Sequence, residues 1–258
     1  MQDKPTSTIN MMVRDEPFCC LGLLSIINYV DNVLIYDTGS TDGTYENLQK
    51  IKNKYPEKVN LNRVEIPNAQ GWEYRDGHGI TKSVPEESKI ALGNLRRTMH
   101  EESTGDFIWL LDGDEIYYED LAKGLSELIH KNLNREEFIA VFPPFVDLTA
   151  DGLNVRLKHD MGRIFRRNVT RVNGNFLEEM HYSLKTNSCI NNWDKHSILI
   201  KIEKNIPSVL HFESPVKPWR KAKTNFGPFK FKLPEVFYKE EYKEFVPFEK
   251  YPFLKNYY

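Results

Sequence analysis

Short apolar runs recur along the first half of the chain and predict the strands of a buried sheet. Each run is nearly continuous, which is typical of strands covered on both faces, as in parallel sheets. Segments with helical spacing or turn residues separate them. The predicted strands are Thr8–Val13, Asn32–Tyr36, Val59–Ile66, Phe107–Leu111 and Phe138–Phe142.

Between these runs, apolar residues recur every three or four positions and predict helices with one buried face. The first helix runs from Pro17 to about Tyr29, and Pro17 suits its first turn. The third starts at Ser83-Val84-Pro85-Glu86, a capping box with proline in the first turn. The second helix has the apolar stripe Tyr45, Leu48, Ile51 and Tyr55, and Ser40, Thr41 or Asp42 can cap it. The fourth has the apolar stripe Leu121, Leu125, Leu128 and Ile129.

Alternating strands and helices predict an α/β fold with a mainly parallel, Rossmann-like central sheet flanked by helices. The regularity weakens after about Val146. From Lys217 to Tyr258 the chain interleaves lysine and arginine with aromatic residues and prolines, which predicts an irregular aromatic-rich arm. We therefore expect a domain over residues 1–215 and a C-terminal arm over residues 216–258.

Composition narrows the class of protein without naming a partner. The chain has 258 residues and a net charge of −2, so it gives no global reason to expect a polyanion partner. It has three cysteines, Cys19, Cys20 and Cys189, and their odd number and the adjacent pair argue against a disulfide framework and for a reducing compartment. The N-terminus lacks the apolar core of a signal peptide, and no apolar stretch is long enough to span a bilayer. We expect a soluble, cytoplasmic protein.

Asp112-Gly113-Asp114 follows a strongly apolar predicted strand. Two carboxylates separated by glycine can point at one space and bind a hard divalent cation, which leaves positions for phosphate oxygens. A plain surface turn is the alternative. Asp37 also follows a buried strand, and its carboxylate can accept hydrogen bonds from a ribose or a base edge, unless the segment serves only as a helix-capping turn.

Two segments resemble family 2 inverting glycosyltransferases with the GT-A fold. Val33-Leu-Ile-Tyr-Asp37-Thr-Gly-Ser-Thr-Asp42-Gly-Thr44 is similar to the signature of their second strand. Thr104-Gly-Asp-Phe-Ile-Trp-Leu-Leu-Asp-Gly-Asp-Glu115 resembles their DxD strand, in the bacterial and phage branch that ends in Asp-x-Asp-Glu. The two segments occur in the family's order and cover, with their surroundings, roughly residues 7–118.

The resemblance implies roles for individual residues on the donor side. Asp37 would bind the nucleoside, Asp112 the ribose and donor, Asp114 the metal, and Arg96 the diphosphate. Arg97 stands where the family has asparagine, which leaves its role open, and two solvated helix arginines are the alternative. The predicted nucleotide-sugar residues are Val13, Arg14, Asp37, Arg96, Asp112 and Gly113.

The acceptor side carries a looser resemblance. Gly162-Arg-Ile-Phe-Arg-Arg167 and Gly174-Asn-Phe-Leu-Glu-Glu-Met-His181 are similar to a region where the family has His-Glu, but Tyr182 replaces that glutamate. An inverting transfer needs a general base. The candidates are Glu179, which we favour, Glu178 and His181, with a solvated acidic face as the alternative. Val209-Leu-His211-Phe resembles a position where histidine completes the metal site, so the predicted ligands of Mn²⁺ or Mg²⁺ are Asp112, Asp114 and His211.

The sequence thus predicts a metal-dependent, hexosyltransferase-like enzyme that moves a sugar from a nucleotide-sugar, by resemblance a UDP-sugar, to a polysaccharide, protein or DNA. Residues 1–118 would bind the donor and residues 119–215 the acceptor. A sugar-phosphate nucleotidyltransferase and an inactive sugar-nucleotide or glycan-binding module are the alternatives. The aromatic residues of the arm would stack on nucleic acid, lie at a membrane, or pack on their own domain or on a second subunit as a homo-oligomer.

Overall fold

The structure is a computed structural model. It describes residues 6–67, 75–76, 79–80, 85–132, 140–148, 154–158, 162–172, 181–183, 197–199, 209–212, 227–228, 232–246 and 254–255. The α-helices are α1 (Cys19–Ile26), α2 (Thr44–Lys54), α3 (Glu86–Glu102) and α4 (Glu119–Asn132). Short 3-10 helices span Ile27–Tyr29, Arg167–Val169, Glu235–Tyr238 and Glu240–Phe245.

The strands follow one another along the described parts of the chain, and many are short. They are β1 (Ser7–Val13), β2 (Asn32–Asp37), β3 (Val59–Arg63), β4 (Arg75–Asp76), β5 (Gly79–Ile80), β6 (Phe107–Leu111), β7 (Glu115–Tyr117), β8 (Ala140–Phe142), β9 (Phe145–Leu148), β10 (Asn154–Lys158), β11 (Ile164–Arg166), β12 (Thr170–Val172), β13 (His181–Ser183), β14 (Ser197–Leu199), β15 (Val209–His211) and β16 (Gly227–Pro228).

The central sheet has seven strands in the order β14-β8-β11-β6-β1-β2-β3. The pairs β1–β2, β2–β3, β1–β6 and β8–β14 are parallel, and only β11 runs antiparallel to its two neighbours in this sheet. A second sheet has the order β16-β10-β9-β15-β7, and its strand β7 follows β6 in the chain after the turn at residues 112–114. The predicted fold class, a mixed α/β fold with a mainly parallel central sheet flanked by helices, is confirmed.

Alternate residues of the strands supply the two faces of the central sheet, as the pleat requires. On β2, Val33 and Ile35 join the main core with α1 and α2, whereas Leu34 and Tyr36 pack with Leu92, Leu95 and Met99 of α3. Helix α1 is buried along its whole length, because β7, α2, α4 and the 3-10 helices Glu235–Tyr238 and Glu240–Phe245 all pack against it. A Cβ on Gly22 would lie 2.4 Å from the carbonyl oxygen of Glu115, so this packing requires glycine.

The described part of the C-terminal arm belongs to the main core. Phe237 is fully buried, and its ring centroid lies 5.8 Å from that of Phe212, which in turn stacks on Phe18 at 4.4 Å. The same cluster includes Leu233, Val236, Tyr242, Phe245, Val246 and Leu254. Of the alternatives raised by the sequence, packing on its own domain is the one that these side chains adopt. A homo-oligomer through the arm stays a prediction.

The predicted elements agree with the structure to within a few residues. The helix predicted from Pro17 starts at Cys19 and tightens into a 3-10 turn at Ile27–Tyr29. The helix with the predicted capping box begins at Glu86, while Ser83 lies outside the described residues. In the part of the chain that the structure describes, no helix combines the length and apolar character needed to cross a membrane.

Candidate functional site

The site lies where the parallel strands β1, β2 and β6 end. Their carboxyl ends meet at one edge of the sheet, and ligands of such sheets bind beyond that edge. The segments at these ends are residues 13–16, which start with the last residue of β1, residues 37–43, which start with the last residue of β2, and residues 112–115, which connect β6 to the start of β7. Most of the predicted donor-side residues are in these three segments.

Asp37 is fully buried at the end of β2. Its Oδ1 accepts hydrogen bonds from the backbone N–H groups of Gly39 and Ser40, at 3.1 and 3.0 Å, and lies 3.6 Å from Nε of Arg63. Gly39 has φ of 105°, the left-handed conformation that brings these amides back to the carboxylate. Among the described residues, Oδ2 has no hydrogen-bond partner. A buried carboxylate oxygen of this kind is ready to accept from a ligand.

Val13 and Arg14 tie the segment after β1 to its neighbours. The carbonyl oxygen of Val13 accepts from the backbone N–H of Thr38 at 2.9 Å. Arg14 donates from Nη1 to the carbonyl oxygens of Thr38 and Ile66, at 2.9 and 2.6 Å. Both residues therefore hold the ends of the strands together, and their direct contact with a nucleotide stays a prediction.

The next residues link this scaffold to the Asp112-Gly113-Asp114 turn. The backbone N–H of Asp15 donates to Oγ of Ser40 at 2.9 Å, and the Asp15 carboxylate accepts from the N–H of Thr41 at 2.7 Å. Glu16 lies directly against Gly113, where an added Cβ would be 2.6 Å from Cβ of Glu16. Residues 15–16 therefore contact both the Asp37 loop and the Asp112 turn and connect the two.

Asp112 lies between two arginines. Nη2 of Arg96, from α3, is 3.3 Å from Oδ1, and Nη2 of Arg163 is 2.8 Å from Oδ2. The Asp112 side chain is 24 % exposed, whereas both arginines are buried. Burial raises the pKa of Asp112, but the Arg163 and Arg96 guanidiniums outweigh burial, so the net pKa is lowered. Asp112 is therefore an ionised carboxylate, and each of its two oxygens contacts an arginine.

Glu115 and Arg163 form a buried ion pair beside Asp112. Both oxygens of Glu115 lie 3.0 Å from Nε of Arg163, and the guanidinium is 5.2 Å from the centroid of the Phe145 ring. Burial raises the pKa of Glu115 to about 7, although Arg163 opposes the shift. Burial lowers the pKa of Arg163, and the Glu115 and Asp112 carboxylates raise it by more.

Sequence reasoning gave Arg163 no role. The signal was present, because Glu115 follows a buried strand and a carboxylate in that position needs a cation nearby. The Gly162–Arg167 segment supplies that cation directly before the apolar residues Ile164 and Phe165.

Asp114 and His211 meet on the other side of the turn. Oδ1 of Asp114 lies 3.4 Å from Nε2 of His211, and the two residues are 3 % and 5 % exposed. The backbone fixes the pair: β7 and β15 run antiparallel with His211 opposite Glu115, and the N–H of Phe212 donates to the carbonyl oxygen of Asp114 at 2.7 Å. The structure thus brings together two of the three predicted metal ligands.

These donors fit a cation that is shared with a ligand. No group of three or more histidine, cysteine, aspartate or glutamate side chains within the described ranges could hold a metal ion by itself. Adjacent ligand atoms of an octahedral ion lie about 3 Å apart, close to the spacing of the Asp114 and His211 atoms. Ions of this type take one or two protein ligands and complete their shell with substrate phosphates. Asp112 as a further ligand stays a prediction, since its oxygens contact Arg96 and Arg163.

The predicted general bases are not placed by the structure. Glu178 and Glu179 lie outside the described residues. The backbone of His181 belongs to β13, where it pairs with Val172 of β12. The identity of the base therefore stays a prediction.

No protein-family model and no curated protein matches the sequence. Solved structures that resemble parts of the chain include a mannosyltransferase, PcManGT from Pyrobaculum calidifontis in complex with GDP-Man and Mn²⁺, with 19% identity, a TM-score of 0.36, and coverage of 55% of this chain and 36% of that chain. TarS 1–349 of S. aureus has 12% identity, a TM-score of 0.39, and coverage of 81% and 61%. GalNAc-T7 with UDP, GalNAc and Mn²⁺ has 12% identity, a TM-score of 0.42, and coverage of 65% and 36%.

The chain spans from 36% to 61% of the length of these three structures. Their identities and TM-scores are too low to carry an activity over to this chain. The activity has to be inferred from the side chains at the edge of the sheet.

Proposed function

We propose that the chain is a metal-dependent inverting glycosyltransferase that uses a nucleotide-sugar. The observation that carries the proposal is the placement of two kinds of site at one sheet edge. Asp37 offers a buried carboxylate oxygen to a ligand. In the adjoining turn, Asp114 pairs with His211 of β15, and Asp112 lies between the Arg96 and Arg163 cations. A nucleotide-sugar has a matching distribution of groups, with hydroxyl and N–H donors on the nucleoside and negative charge on the diphosphate.

On the donor side, Oδ2 of Asp37 accepts a hydrogen bond from the ribose or the base. A charge-assisted bond of this kind is about twice as strong as a neutral one. Arg96 reaches the same edge from α3 and offers its guanidinium to the diphosphate, for which the arginine fork is well suited. UDP is the expected nucleotide because of the resemblance to family 2 enzymes.

Asp114 and His211 are the residues that would hold Mn²⁺ or Mg²⁺. The bound ion would supply charge neutralisation for the diphosphate as its bond to the sugar breaks. The chain itself supplies few ligands, so we expect metal and nucleotide to bind together and to strengthen each other's binding.

The transfer itself is a single in-line displacement. A carboxylate or imidazole takes the proton of an acceptor hydroxyl, amine or thiol, and the acceptor atom attacks the anomeric carbon. The nucleoside diphosphate leaves with the bonding electrons, and the configuration at the anomeric carbon inverts. Glu179, Glu178 and His181 are the proposed bases, and a polysaccharide, a protein or DNA is the proposed acceptor.

A thermal-shift panel tests the proposal. Nucleotide-sugars are added singly, with Mn²⁺, with Mg²⁺ or with chelator, and the melting temperature is recorded. A ligand at 100 times its dissociation constant stabilises the native state by about 2.7 kcal/mol, so a rise of several degrees is expected. The rise should require the metal for diphosphate donors. No shift with any nucleotide-sugar under any condition would overturn the proposal.

Product analysis separates this function from the two alternatives. A nucleotidyltransferase would release pyrophosphate from a sugar phosphate and a nucleoside triphosphate. A binding module would show metal-dependent shifts without any turnover, including the slow hydrolysis of donor by water. The proposed function predicts release of nucleoside diphosphate from the nucleotide-sugar and no pyrophosphate.

A further inference from the structure

Asp15 has an uncommon backbone conformation at the point where two segments of the site meet. Its φ is 52°, and among the residues that the structure describes it is the one residue other than glycine with a positive φ. This left-handed conformation is unfavourable for most side chains, and aspartate and asparagine tolerate it better than most. The next residue, Glu16, lies directly against Gly113 of the Asp112 turn.

Both polar groups of Asp15 contact the Asp37 loop, residues 37–43. Its backbone N–H donates to Oγ of Ser40 at 2.9 Å. Its Oδ1 accepts two hydrogen bonds from Thr41, one from the backbone N–H at 2.7 Å and one from Oγ1 at 3.3 Å. Three hydrogen bonds thus join a single residue after β1 to the tip of the loop after β2.

The tip of this loop lies beyond the sheet, because β2 ends at Asp37. The inner part of the loop is held from within, since the Asp37 carboxylate accepts from the backbone N–H groups of Gly39 and Ser40. Thr41 is exposed, and its described hydrogen bonds are those with Asp15. Asp15 is therefore the residue that ties the outer end of the loop to the segment after β1.

We infer that Asp15 is a positioning residue that sets the spacing between the two parts of the donor site, an inference that rests on the proposed function. A nucleotide-sugar joins its nucleoside to its diphosphate covalently, so the Asp37 loop and the Asp112 turn have to be correctly placed with respect to one another. Asp15 holds the loop, and Glu16 contacts Gly113 of the turn. A ligand that spans both parts binds more tightly when they are ordered in advance.

Loss of the contact with Thr41 should affect the ligand that reaches both parts of the site. In Asp15→Gly the carboxylate is absent, but the left-handed backbone stays allowed, because glycine adopts it readily. We expect UDP with Mn²⁺ to bind roughly fivefold more weakly, the magnitude of one hydrogen bond, and UMP in chelator to bind within about twofold of the wild type. Asp15→Asn keeps an acceptor oxygen and tolerates the same φ, so it should restore UDP binding.

Asp106 provides a matched control at the opposite edge of the same sheet, directly before β6. Its Oδ2 accepts from the backbone N–H of Thr6 at 2.9 Å and from Oγ1 of Thr6 at 3.3 Å. These are the same two kinds of contact that the Asp15 carboxylate makes with Thr41. Asp106→Gly should therefore lose an equivalent contact and still bind UDP and UMP as the wild type does.

Calorimetry at a temperature where every variant is folded measures UDP with Mn²⁺ and UMP in chelator. Wild-type affinity of Asp15→Gly for UDP would overturn the inference, and so would equal losses for UDP and UMP. A purely structural role predicts equal losses, through the fraction of folded protein. Failure of Asp15→Asn to restore UDP binding, or an equal loss of UDP binding in Asp106→Gly, would also overturn it.

Hydrogen exchange of the ligand-free protein keeps this inference distinct from the proposed function. If the wild type binds no nucleotide, the proposed function fails, but the hold of Asp15 on the loop can still be measured. The amide of Thr41 should exchange roughly 10-fold faster in Asp15→Gly, while the amide of Thr6 keeps its wild-type rate. Asp106→Gly should reverse this pattern. A wild-type exchange rate of the Thr41 amide in Asp15→Gly would overturn the inference.

Discussion

Oδ1 of Asp114 and Nε2 of His211 lie 3.4 Å apart because strand pairing, and not only side-chain packing, brings the two residues together. Antiparallel pairing of β7 with β15 places His211 opposite Glu115, and the Phe212–Asp114 backbone hydrogen bond continues the contact. A pair fixed by sheet register moves little when a ligand arrives. Such preorganisation suits two adjacent ligands of one ion.

Replacing Asp114 or His211 should reduce the extent to which Mn²⁺ strengthens nucleotide binding. We expect Asp114→Asn and His211→Asn each to weaken Mn²⁺-dependent UDP binding by at least roughly 10-fold, since ligand substitutions remove a direct bond to the ion. Calorimetric titration with UDP in Mn²⁺ and in chelator gives the measurement. His130→Asn, in the last turn of α4, is the matched control and should bind as the wild type does. Unchanged Mn²⁺ dependence in both site variants would contradict the proposed metal ligands.

Asp37→Asn should weaken nucleotide binding whether or not metal is present. The amide oxygen can still accept from Gly39 and Ser40, so the loop keeps its conformation, but an N–H₂ donor replaces the acceptor Oδ2. Loss of a hydrogen bond to a charged group costs about 1.5–3 kcal/mol, or roughly 10- to 100-fold in affinity. UMP and UDP should be affected equally. An effect on UDP alone would place the contribution of Asp37 at the phosphates and not at the nucleoside.

The first half of the fold could be predicted because its strands are buried on both faces and leave clear apolar runs. Asn32–Tyr36 and Phe107–Leu111 were predicted within one residue of β2 and β6. The ends of those strands carry Asp37 and Asp112, so their meeting at one edge follows from parallel pairing alone. The positions of Asp37 and Asp112 can therefore be predicted from the order of the strands alone.

The other half of the site depends on pairings that the sequence does not encode locally. His211 reaches Asp114 through the β7–β15 register, and Arg163 reaches Glu115 because β11 joins the sheet antiparallel to β6. Short strands of three residues have too little periodicity to predict their partners. The contacts of an individual arginine such as Arg163 can therefore be predicted only once the strand pairing is known.

Two adjacent arginines on α3 should differ sharply in their effect on the donor. Arg96 is buried and contacts Asp112, whereas the neighbouring Arg97 is exposed. Arg96→Met should weaken UDP binding by roughly 10-fold, the magnitude of one charge-assisted hydrogen bond, and Arg97→Met should leave it unchanged. The two variants lose the same charge, so a general electrostatic effect would weaken both. Equal losses would argue against a specific contact between Arg96 and the diphosphate.

The arm should behave as part of the domain in unfolding experiments. Phe237 is fully buried against Phe212, and its neighbour Tyr238 is 43 % exposed. We expect Phe237→Ala to lower the free energy of unfolding by about 3–5 kcal/mol, and Tyr238→Ala to change it by about 0.5 kcal/mol or less. Urea titration followed by circular dichroism measures both. If Phe237→Ala has the stability of the wild type, the arm does not belong to the core.

The contact between Gly113 and Glu16 should be sensitive to a single methyl group. A Cβ at position 113 would lie 2.6 Å from Cβ and 2.7 Å from Cγ of Glu16, so the Asp112 turn and the segment after β1 would have to separate. Gly113→Ala should lower the free energy of unfolding by about 1–3 kcal/mol, as overpacking does. It should also weaken UDP binding, because the Asp112 turn and the segment after β1, which both border the proposed donor site, would shift. Gly124→Ala on α4 is the control, since its Cβ would meet no described atom within 4 Å beyond its own stretch of helix, and the substitution should stabilise the helix by about 0.5–1 kcal/mol. Thermal unfolding and UDP titration of the two variants, measured side by side, check the expectation. Wild-type affinity of Gly113→Ala for UDP would contradict the prediction, because the Asp112 turn and the segment after β1 could then separate without any effect on the proposed donor site.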